Sequence, residues 1–184
     1  MLLINALKHT KLVLRHKWLV FKFACKVGIP WRGFMHDWSK FSPTEFGESI
    51  KYYKGTYSPV TEARNQNGYS KAWVHHASKN KHHYQYWVDW TANGPIPVVM
   101  PYKYVAEMIC DKISAGMTYA GNNYTDAEPL QYYERERKTA LIHEGVDKVL
   151  LEFFTELNDN GLKKTLKRKN IKSIYQKHCA KYLN

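Results

Sequence analysis

The sequence predicts an all-α fold, a compact single-domain bundle of about six to eight helices. Apolar residues recur at helical spacing along most of the 184 residues, and helix start and stop signals separate these segments. Strand signals are weak, because the one β-branched run, "IPVVM" at residues 96–100, is short and flanked by proline. A chain of this length can bury a substantial hydrophobic core as one domain.

The chain begins with a predicted helix over residues 3–27, which Gly28 and Pro30 bring to an end. The tetrapeptide "SPTE" at residues 42–45 predicts the start of another helix. Its serine is the expected N-cap, its proline occupies the first helical position, and its glutamate completes a capping box. We expect that helix to run to about Lys54.

The middle of the chain contains predicted loops and short helices. Residues 56–67 contain Ser-Pro and Asn-Gln-Asn, which predict a surface loop. The segment "SKAWVHHASK" at residues 70–79 predicts one short helix, and "NKHHYQYWVDW" at residues 80–90 predicts a second. Gly-Pro-Ile-Pro at residues 94–97 is the clearest break in the chain.

The last two predicted features follow this break. Pro101 begins a segment that we expect to be helical up to Gly121. The strongest amphipathic stripe comes later and ends at Gly161. Its apolar members are Val146, Val149, Leu150, Phe153, Phe154 and Leu157.

The formal charge of +12 favours anionic partners such as nucleic acid, nucleotides or acidic lipid. Much of this charge lies in a stretch rich in lysine and arginine at residues 163–181, here called the basic tail. We favour a solvated basic helix there over a nucleic-acid contact, although the second alternative stays open. Aromatic residues make up 15% of the chain, so self-association as a homodimer is also expected.

The three cysteines, Cys25, Cys110 and Cys179, are widely separated and odd in number. This pattern favours reduced thiols in a cytoplasmic protein over a disulfide framework. The apolar stretch "LVLRHKWLVFKFACKVG" at residues 12–28 is interrupted by basic residues, so it neither spans a bilayer nor resembles a signal peptide. We therefore expect a cytoplasmic protein with no membrane partner.

Histidines and carboxylates recur on the predicted helices in an order that suggests a metal site. Together these side chains can bind one or two divalent ions such as Mn, Fe, Zn, Ni or Mg. An adjacent His-Asp pair reaches one ion only where neighbouring side chains converge, typically near a helix end. The candidates are His16, His36, Asp37, His75, His76, His82, His83, Glu107 and Asp111.

This order resembles the HD superfamily of metal-dependent phosphohydrolases, whose hallmark is a first-helix histidine, an adjacent His-Asp and a distant aspartate. The resemblance implies His16, His36, Asp37 and Asp111 as metal ligands. Members with two metals have additional histidines between the His-Asp pair and the last aspartate. His76, with His82 or His83, lies in that part of the sequence. It also implies an HD-like metal-binding core over residues 1–125, with the helices of residues 126–184 packed on it.

A narrower resemblance rests on three blocks in the same order. They are "GIPWRGFMHDWSKFSPTEF", "AWVHHASKNKHHYQYW" and "MPYKYVAEMICD". They resemble DUF5662, a small family of uncharacterised bacterial and phage proteins, over roughly residues 10–125.

Several assignments stay open at this point. We favour His76 over His75, because Trp73 lies three residues before His76 and could border the same pocket. We favour His82 slightly over His83. Three roles are open for Glu107, which could bind metal, act as a general base or orient a histidine.

The HD resemblance implies hydrolysis of a small anionic substrate, a nucleotide or another phosphate ester, by water that the metal activates. Asp37 or Glu107 would then handle the proton of that water, and Lys40 would bind a substrate phosphate. A surface lysine lying over Phe41 and Trp38 is the equally weighted alternative for Lys40.

Two further functions remain in competition with hydrolysis. The same cage could hold two irons and oxidise a substrate with dioxygen, as some HD-fold proteins do. Alternatively, the chain is a non-catalytic helical module that binds a nucleotide, or binds nucleic acid through the basic tail.

Overall fold

The computed structural model describes residues 2–183 and confirms the all-α prediction. The helices are α1 (Leu2–Lys26), α2 (Pro30–Met35), α3 (Pro43–Lys51), α4 (Pro59–Asn67), α5 (Lys71–Lys79), α6 (Tyr102–Ala120), α7 (Glu128–Glu136), α8 (Glu144–Asn160), α9 (Leu162–Thr165) and α10 (Arg168–Cys179). Short 3₁₀ helices cover Trp38–Phe41, Tyr84–Trp87, Gly121–Asn123 and Ala180–Tyr182. One antiparallel hairpin joins β1 (Val88–Thr91) and β2 (Gly94–Pro97).

Helix α6 lies at the centre of the hydrophobic core. It packs against α1 on one side and contacts α7 and α10 on others, while α8 packs on α7 and α10. Its side chains Val105 and Ile109 are fully buried in the same cluster as Val20 of α1 and Leu150 of α8. Burial of this apolar surface is the main force that holds the helices together.

The amphipathic stripe predicted on α8 is confirmed, because all six of its apolar residues are fully buried. The helix ends at Asn160, and Gly161 follows with a positive φ of 77°. Such a backbone angle is accessible to glycine at little cost, which explains why the helix ends there.

The basic tail is an integral part of the core. Ile171, Ile174, Tyr175 and Cys179 of α10 are buried, and the tyrosine hydroxyl donates a hydrogen bond to the carbonyl of Met100 at 2.8 Å. The lysines and arginine of residues 163–181 lie on the opposite, exposed side, as expected for a solvated basic helix. One face of α10 is therefore structural and the other is free to interact.

The prediction of a surface loop over residues 56–67 is wrong, because α4 occupies most of that segment. Ser58 caps this helix by accepting a hydrogen bond from the backbone N–H of Val60, and Pro59 takes the first helical position. Gly68 ends it in the left-handed conformation. These are the same capping signals that begin α3, so the helix has a local cause.

The prediction of a helix over residues 80–90 is also wrong. A 3₁₀ turn covers Tyr84–Trp87, and strand β1 follows it. The predicted break at residues 94–97 is strand β2, paired so that Trp90 faces Pro95 and Val88 faces Pro97. Prolines are tolerated because a two-stranded hairpin has free edges that need no N–H donor.

Three further predictions concern helix ends, cysteines and membrane-spanning segments. Helix α3 ends at Lys51, three residues before the predicted Lys54, and α6 ends before Gly121 as expected. The three cysteines are free thiols, as the sequence indicated. Among residues 2–183, no helix is long and apolar enough to cross a membrane.

Candidate metal centre

Five separate segments bring the seven predicted metal ligands together. Helix α1 supplies His16, the turn after α2 supplies His36 and Asp37, α5 supplies His76, the turn after α5 supplies His82 and His83, and α6 supplies Asp111. Apart from His83 and Asp111, which are partly exposed, these side chains are buried.

The adjacent His36-Asp37 pair converges because the backbone changes direction between the two residues. His36 follows the last residue of α2 with extended angles, and Asp37 adopts the left-handed conformation with φ of 54°. Among residues 2–183, Asp37 is the one non-glycine residue with a positive φ. Backbone strain of this kind is concentrated at functional sites, where surrounding contacts hold it in place.

The first group of potential ligands is formed by His16, His36, Asp37 and Asp111. The Nε2 atom of His16 lies 3.1 Å from Oδ1 of Asp111 and 3.3 Å from Nε2 of His36. The Nε2 atom of His36 lies 3.2 Å from Oδ2 of Asp37. Two imidazoles and two carboxylates are a common donor set for a divalent transition metal.

The second group is formed by Asp37, His76, His82 and His83. The Nε2 atoms of His76 and His82 lie 3.3 Å and 3.4 Å from Oδ1 of Asp37. Asp37 therefore directs Oδ2 towards the first group and Oδ1 towards the second. Within each group, one ligand atom from every residue lies within 4.8 Å of the others.

Glu107 lies behind two of these histidines. Its Oε1 is 3.1 Å from Nδ1 of His36 and 3.3 Å from Nδ1 of His82, on the ring side away from Asp37. Arg32 donates from Nε to its Oε2 at 2.7 Å. Glu107 also forms a third group of potential ligands with His36 and His82. The contacts at both Nδ1 atoms favour the orienting role over a metal contact, because they leave Nε2 of each ring directed inward.

Glu45 has an equivalent position that the sequence did not reveal. The predicted capping box forms only in part, since Ser42 accepts a hydrogen bond from the Glu45 backbone N–H. The Glu45 carboxylate instead contacts Nδ1 of His76 and Nδ1 of His75, each at 2.7 Å. Only the first of these histidines belongs to a ligand group, in agreement with the preference for His76.

With this geometry established, the chain can be compared with known proteins. A family model described as "Family of unknown function (DUF5662)" matches residues 5–156. The chain belongs to DUF5662. The match extends beyond the expected residues 10–125 and reaches into α8, so it includes every candidate ligand. No curated protein and no solved structure matches the chain.

The carboxylates of this DUF5662 centre are held ionised. Burial opposes this, but the neighbouring charges of His36, Lys40 and His76 keep the pKa of Asp37 well below its usual value. Close contacts with the rings of His36 and His82 overcome burial in the same way and lower the pKa of Glu107 to about 2. Burial lowers the pKa of His83, which favours the neutral imidazole that binds metals.

Unpaired polar atoms provide a test of whether a metal fits the DUF5662 centre. Among the described residues, both carboxylate oxygens of Asp37, both ring nitrogens of His82 and Nε2 of His83 are buried without a hydrogen bond of acceptable geometry. Buried polar atoms are normally satisfied, and each exception needs an explanation. Coordination of a cation would satisfy them, so the donor set and its unpaired atoms fit a metal.

A cavity of about 1080 Å³ opens onto the centre. Its lining includes the ligands Asp37 and Asp111, together with Lys40, Arg64 and Trp73. Lys40 lies 2.7 Å from Oδ2 of Asp37, and the nearby carboxylates raise the pKa of Lys40 despite its burial. The lysine that lies over the Trp38 ring is Lys17, whose Nζ is 4.6 Å from the ring centroid.

The aromatic side chains around His83 divide into two sets. Tyr84 is buried and lines the cavity, and Trp87 packs against Tyr104 with ring centroids 5.5 Å apart. Tyr86 and Trp90 are exposed outside the cavity lining. Tyr84 and Trp87 therefore contribute to packing. Of the four aromatic residues, Tyr84 is the one that could contact a ligand in the cavity.

Proposed function

We propose that this DUF5662 protein is a metal-dependent phosphohydrolase with an HD-like core, acting on a nucleotide or another small phosphate ester. The observation that carries the proposal is the position of Asp37. This carboxylate belongs to two groups of potential ligands and lines a cavity of about 1080 Å³. Two closely spaced ions at a cavity floor are a recurrent arrangement in phosphate-ester hydrolysis.

His16, His36, Asp37 and Asp111 would hold one ion, and Asp37, His76, His82 and His83 would hold the other. A divalent ion there supplies Lewis acidity, which activates water and polarises a phosphoryl oxygen. Glu107 and Glu45 keep His36, His82 and His76 in the ring orientations that binding needs.

The remaining cavity residues suit an anionic substrate. Lys40 keeps its positive charge and is 30% exposed, so its ammonium can bind a phosphate oxygen. The guanidinium carbon of Arg64 lies 5.1 Å from the centroid of the Trp73 ring, which holds a second cation at the cavity. The positive charges of Lys40 and Arg64 would thus attract the substrate phosphate into the cavity that Asp37 lines.

The two carboxylates expected to handle the water proton differ in access. Asp37 lines the cavity, whereas Glu107 is fully buried and absent from the lining. We therefore assign the proton contact to Asp37 and the orienting role to Glu107. The pKa of Asp37 is low, so it would accept a hydrogen bond from the water more readily than it would keep a proton.

The test combines metal analysis with a screen of nucleotides and simple phosphate esters for phosphate release. We expect bound divalent metal in the purified protein and release that is lost in His36→Ala and Asp37→Ala. His75→Ala is the matched control, because His75 contacts Glu45 but belongs to neither ligand group. Protein without metal, combined with an Asp37→Ala variant that folds and behaves like the parent, would reject the proposal.

Other outcomes would select the competing functions. Metal-loaded protein that consumes dioxygen without releasing phosphate would indicate the iron oxygenase. Metal-free protein with salt-sensitive affinity for nucleic acid would indicate the binding module. Deleting the basic tail cannot test that module, because Ile171 and Tyr175 belong to the core. Exchange of the exposed Lys169 and Lys172 for glutamine is the suitable change.

A further inference from the structure

Helix α1 carries apolar residues on two separate faces. One face is buried against the protein through Val13, Val20 and Phe23. A second face contains Leu3, Leu7, Leu14 and Trp18, spaced by four, seven and four residues, and each of them is more than half exposed. Residues at these spacings lie on one side of a helix. A helix that packs against the protein on one side does not need a second apolar face to fold.

Helix α2, which packs on α1, and the 3₁₀ turn that follows carry a further set of exposed apolar side chains. Trp31, Phe34 and Trp38 are each half or more exposed, with ring centroids 5.7 Å apart in the first pair and 6.3 Å in the second. Gly33 brings α2 against α1 so closely that a Cβ there would lie 2.9 Å from Cα of Phe21. We call Leu3, Leu7, Leu14, Trp18, Trp31, Phe34 and Trp38 the apolar ridge.

The charged residues of α1 and α2, which carry most of the apolar ridge, have one sign. The chain contains no aspartate or glutamate before Asp37, whereas residues 1–36 contain seven lysines and arginines. Lys11 lies between Leu7 and Leu14 on the same side of α1, and Lys22 lies one turn beyond Trp18. Both lysines are exposed, so their stems can cover the ridge while their ammonium groups point outward.

We propose that the apolar ridge docks on the surface of an anionic lipid bilayer. A helix with lysine and arginine beside exposed leucine and tryptophan is typical of segments that lie in the membrane interface. Anionic lipid also attracts clustered basic residues, at a gain of about fivefold in binding for each charge. The expectation of no membrane partner was based on segments that could cross a bilayer. This proposal concerns contact with the bilayer surface and replaces that expectation.

A second copy of the chain is a less suitable occupant. Two ridges facing each other would bring Lys11 and Lys22 of one chain towards the cations of the other. No carboxylate in residues 1–36 could pair with them. Lipid phosphates and carboxylates supply the missing negative charge, and acyl chains receive the leucine and tryptophan side chains.

The experiment is flotation of the full-length protein with vesicles of phosphatidylcholine alone or with about 30% phosphatidylserine, at low and high salt. We expect binding to the anionic vesicles only, with an affinity that falls as salt rises. Trp18→Gln and Trp31→Gln should each weaken it about tenfold, and Lys11→Gln about fivefold. Trp90→Gln is the matched control, because Trp90 is 77% exposed on the hairpin and lies outside the ridge.

Several results would overturn the proposal. They are absence of binding to anionic vesicles, equal binding to neutral vesicles, equal loss in Trp90→Gln, and a dimer in the absence of lipid that Trp18→Gln dissociates. Tighter binding to soluble polyglutamate than to the vesicles would likewise indicate an acidic protein partner. None of these results depends on the metal centre, so the two proposals fail or succeed separately.

Discussion

The Nδ1 atom of His36 lies 3.1 Å from Oε1 of Glu107, on the side of the ring opposite the one that faces Asp37. Because Arg32 neutralises the other oxygen of Glu107, this buried carboxylate can stay charged. It therefore acts on the centre through two histidine rings.

Glu107→Gln should lower metal affinity about 10- to 100-fold without removing a ligand, because the amide holds His36 and His82 less firmly. Titration calorimetry with Mn²⁺ or Zn²⁺ measures this change. Glu136→Gln is the control, since Glu136 lies on α7 and pairs with Lys112 rather than with a ligand histidine. A metal affinity equal to that of the parent would show that Glu107 does not support the metal centre.

His76→Ala should leave about one ion per chain where the parent binds two, because His76 belongs to the second ligand group alone. His75→Ala should retain the parent stoichiometry, although both rings contact Glu45 at the same 2.7 Å. Elemental analysis of the two purified variants distinguishes them. Equal metal content in both would show that the second group holds no ion.

Asp147→Ala should destabilise the fold by about 2 kcal/mol, because it leaves the buried hydroxyl of Tyr133 and the half-buried guanidinium of Arg137 without their shared acceptor. Asp147 accepts hydrogen bonds from the hydroxyl of Tyr133 at 2.8 Å and from Nε of Arg137 at 2.9 Å. Urea unfolding measures the change, and Asp159→Ala at an exposed position should stay within about 0.5 kcal/mol of the parent. Metal content should be unchanged, since Asp147 contacts no ligand group.

His9 should make the protein less stable in mild acid. Burial, with a smaller effect of Lys40, lowers its pKa from 6.5 to about 4, and neither ring nitrogen has a hydrogen-bond partner among the described residues. Between these pH values the unfolded chain binds a proton that the folded chain excludes. The free energy of unfolding therefore falls as pH decreases through this window and is unaffected by His9 above it.

The measurement compares parent and His9→Leu by urea unfolding at pH 7 and at about pH 4.5. The stability of the variant relative to the parent should rise by about 2 kcal/mol across this range. A difference that does not change with pH would contradict the prediction. Because the comparison is between two proteins, titration of the remaining histidines largely cancels.

The predicted ligands depend on chemistry that is visible in single residues. His36, Asp37 and Asp111 are recognisable because few residue types bind divalent metals and their order along the chain is informative. Glu45 was not recognised, since its contact with His76 joins residues 31 positions apart on different helices. The capping pattern at the start of α3 already explained why a glutamate occurs at this position. In the structure its carboxylate contacts His76 and His75 instead.

The errors in secondary structure have similar causes. Ser58-Pro59 begins α4 by the same pattern as Ser42-Pro43 begins α3, yet the surrounding polar residues suggested a loop. The hairpin at residues 88–97 depends on pairing between strands, and prolines in β2 masked it. The left-handed angles of Asp37 could not be predicted either, because surrounding contacts hold a conformation that aspartate adopts only at a cost.

The ligand residues are spread from His16 to Asp111 and come from five segments of the chain. An ion that binds them is therefore a cross-link, closing long loops much as a disulfide would but reversibly. The unfolded chain cannot present all these ligands at once, so each tenfold rise in free metal above the dissociation constant should add about 1.4 kcal/mol per ion to the unfolding free energy. Stability would then report the metal supply of the surroundings.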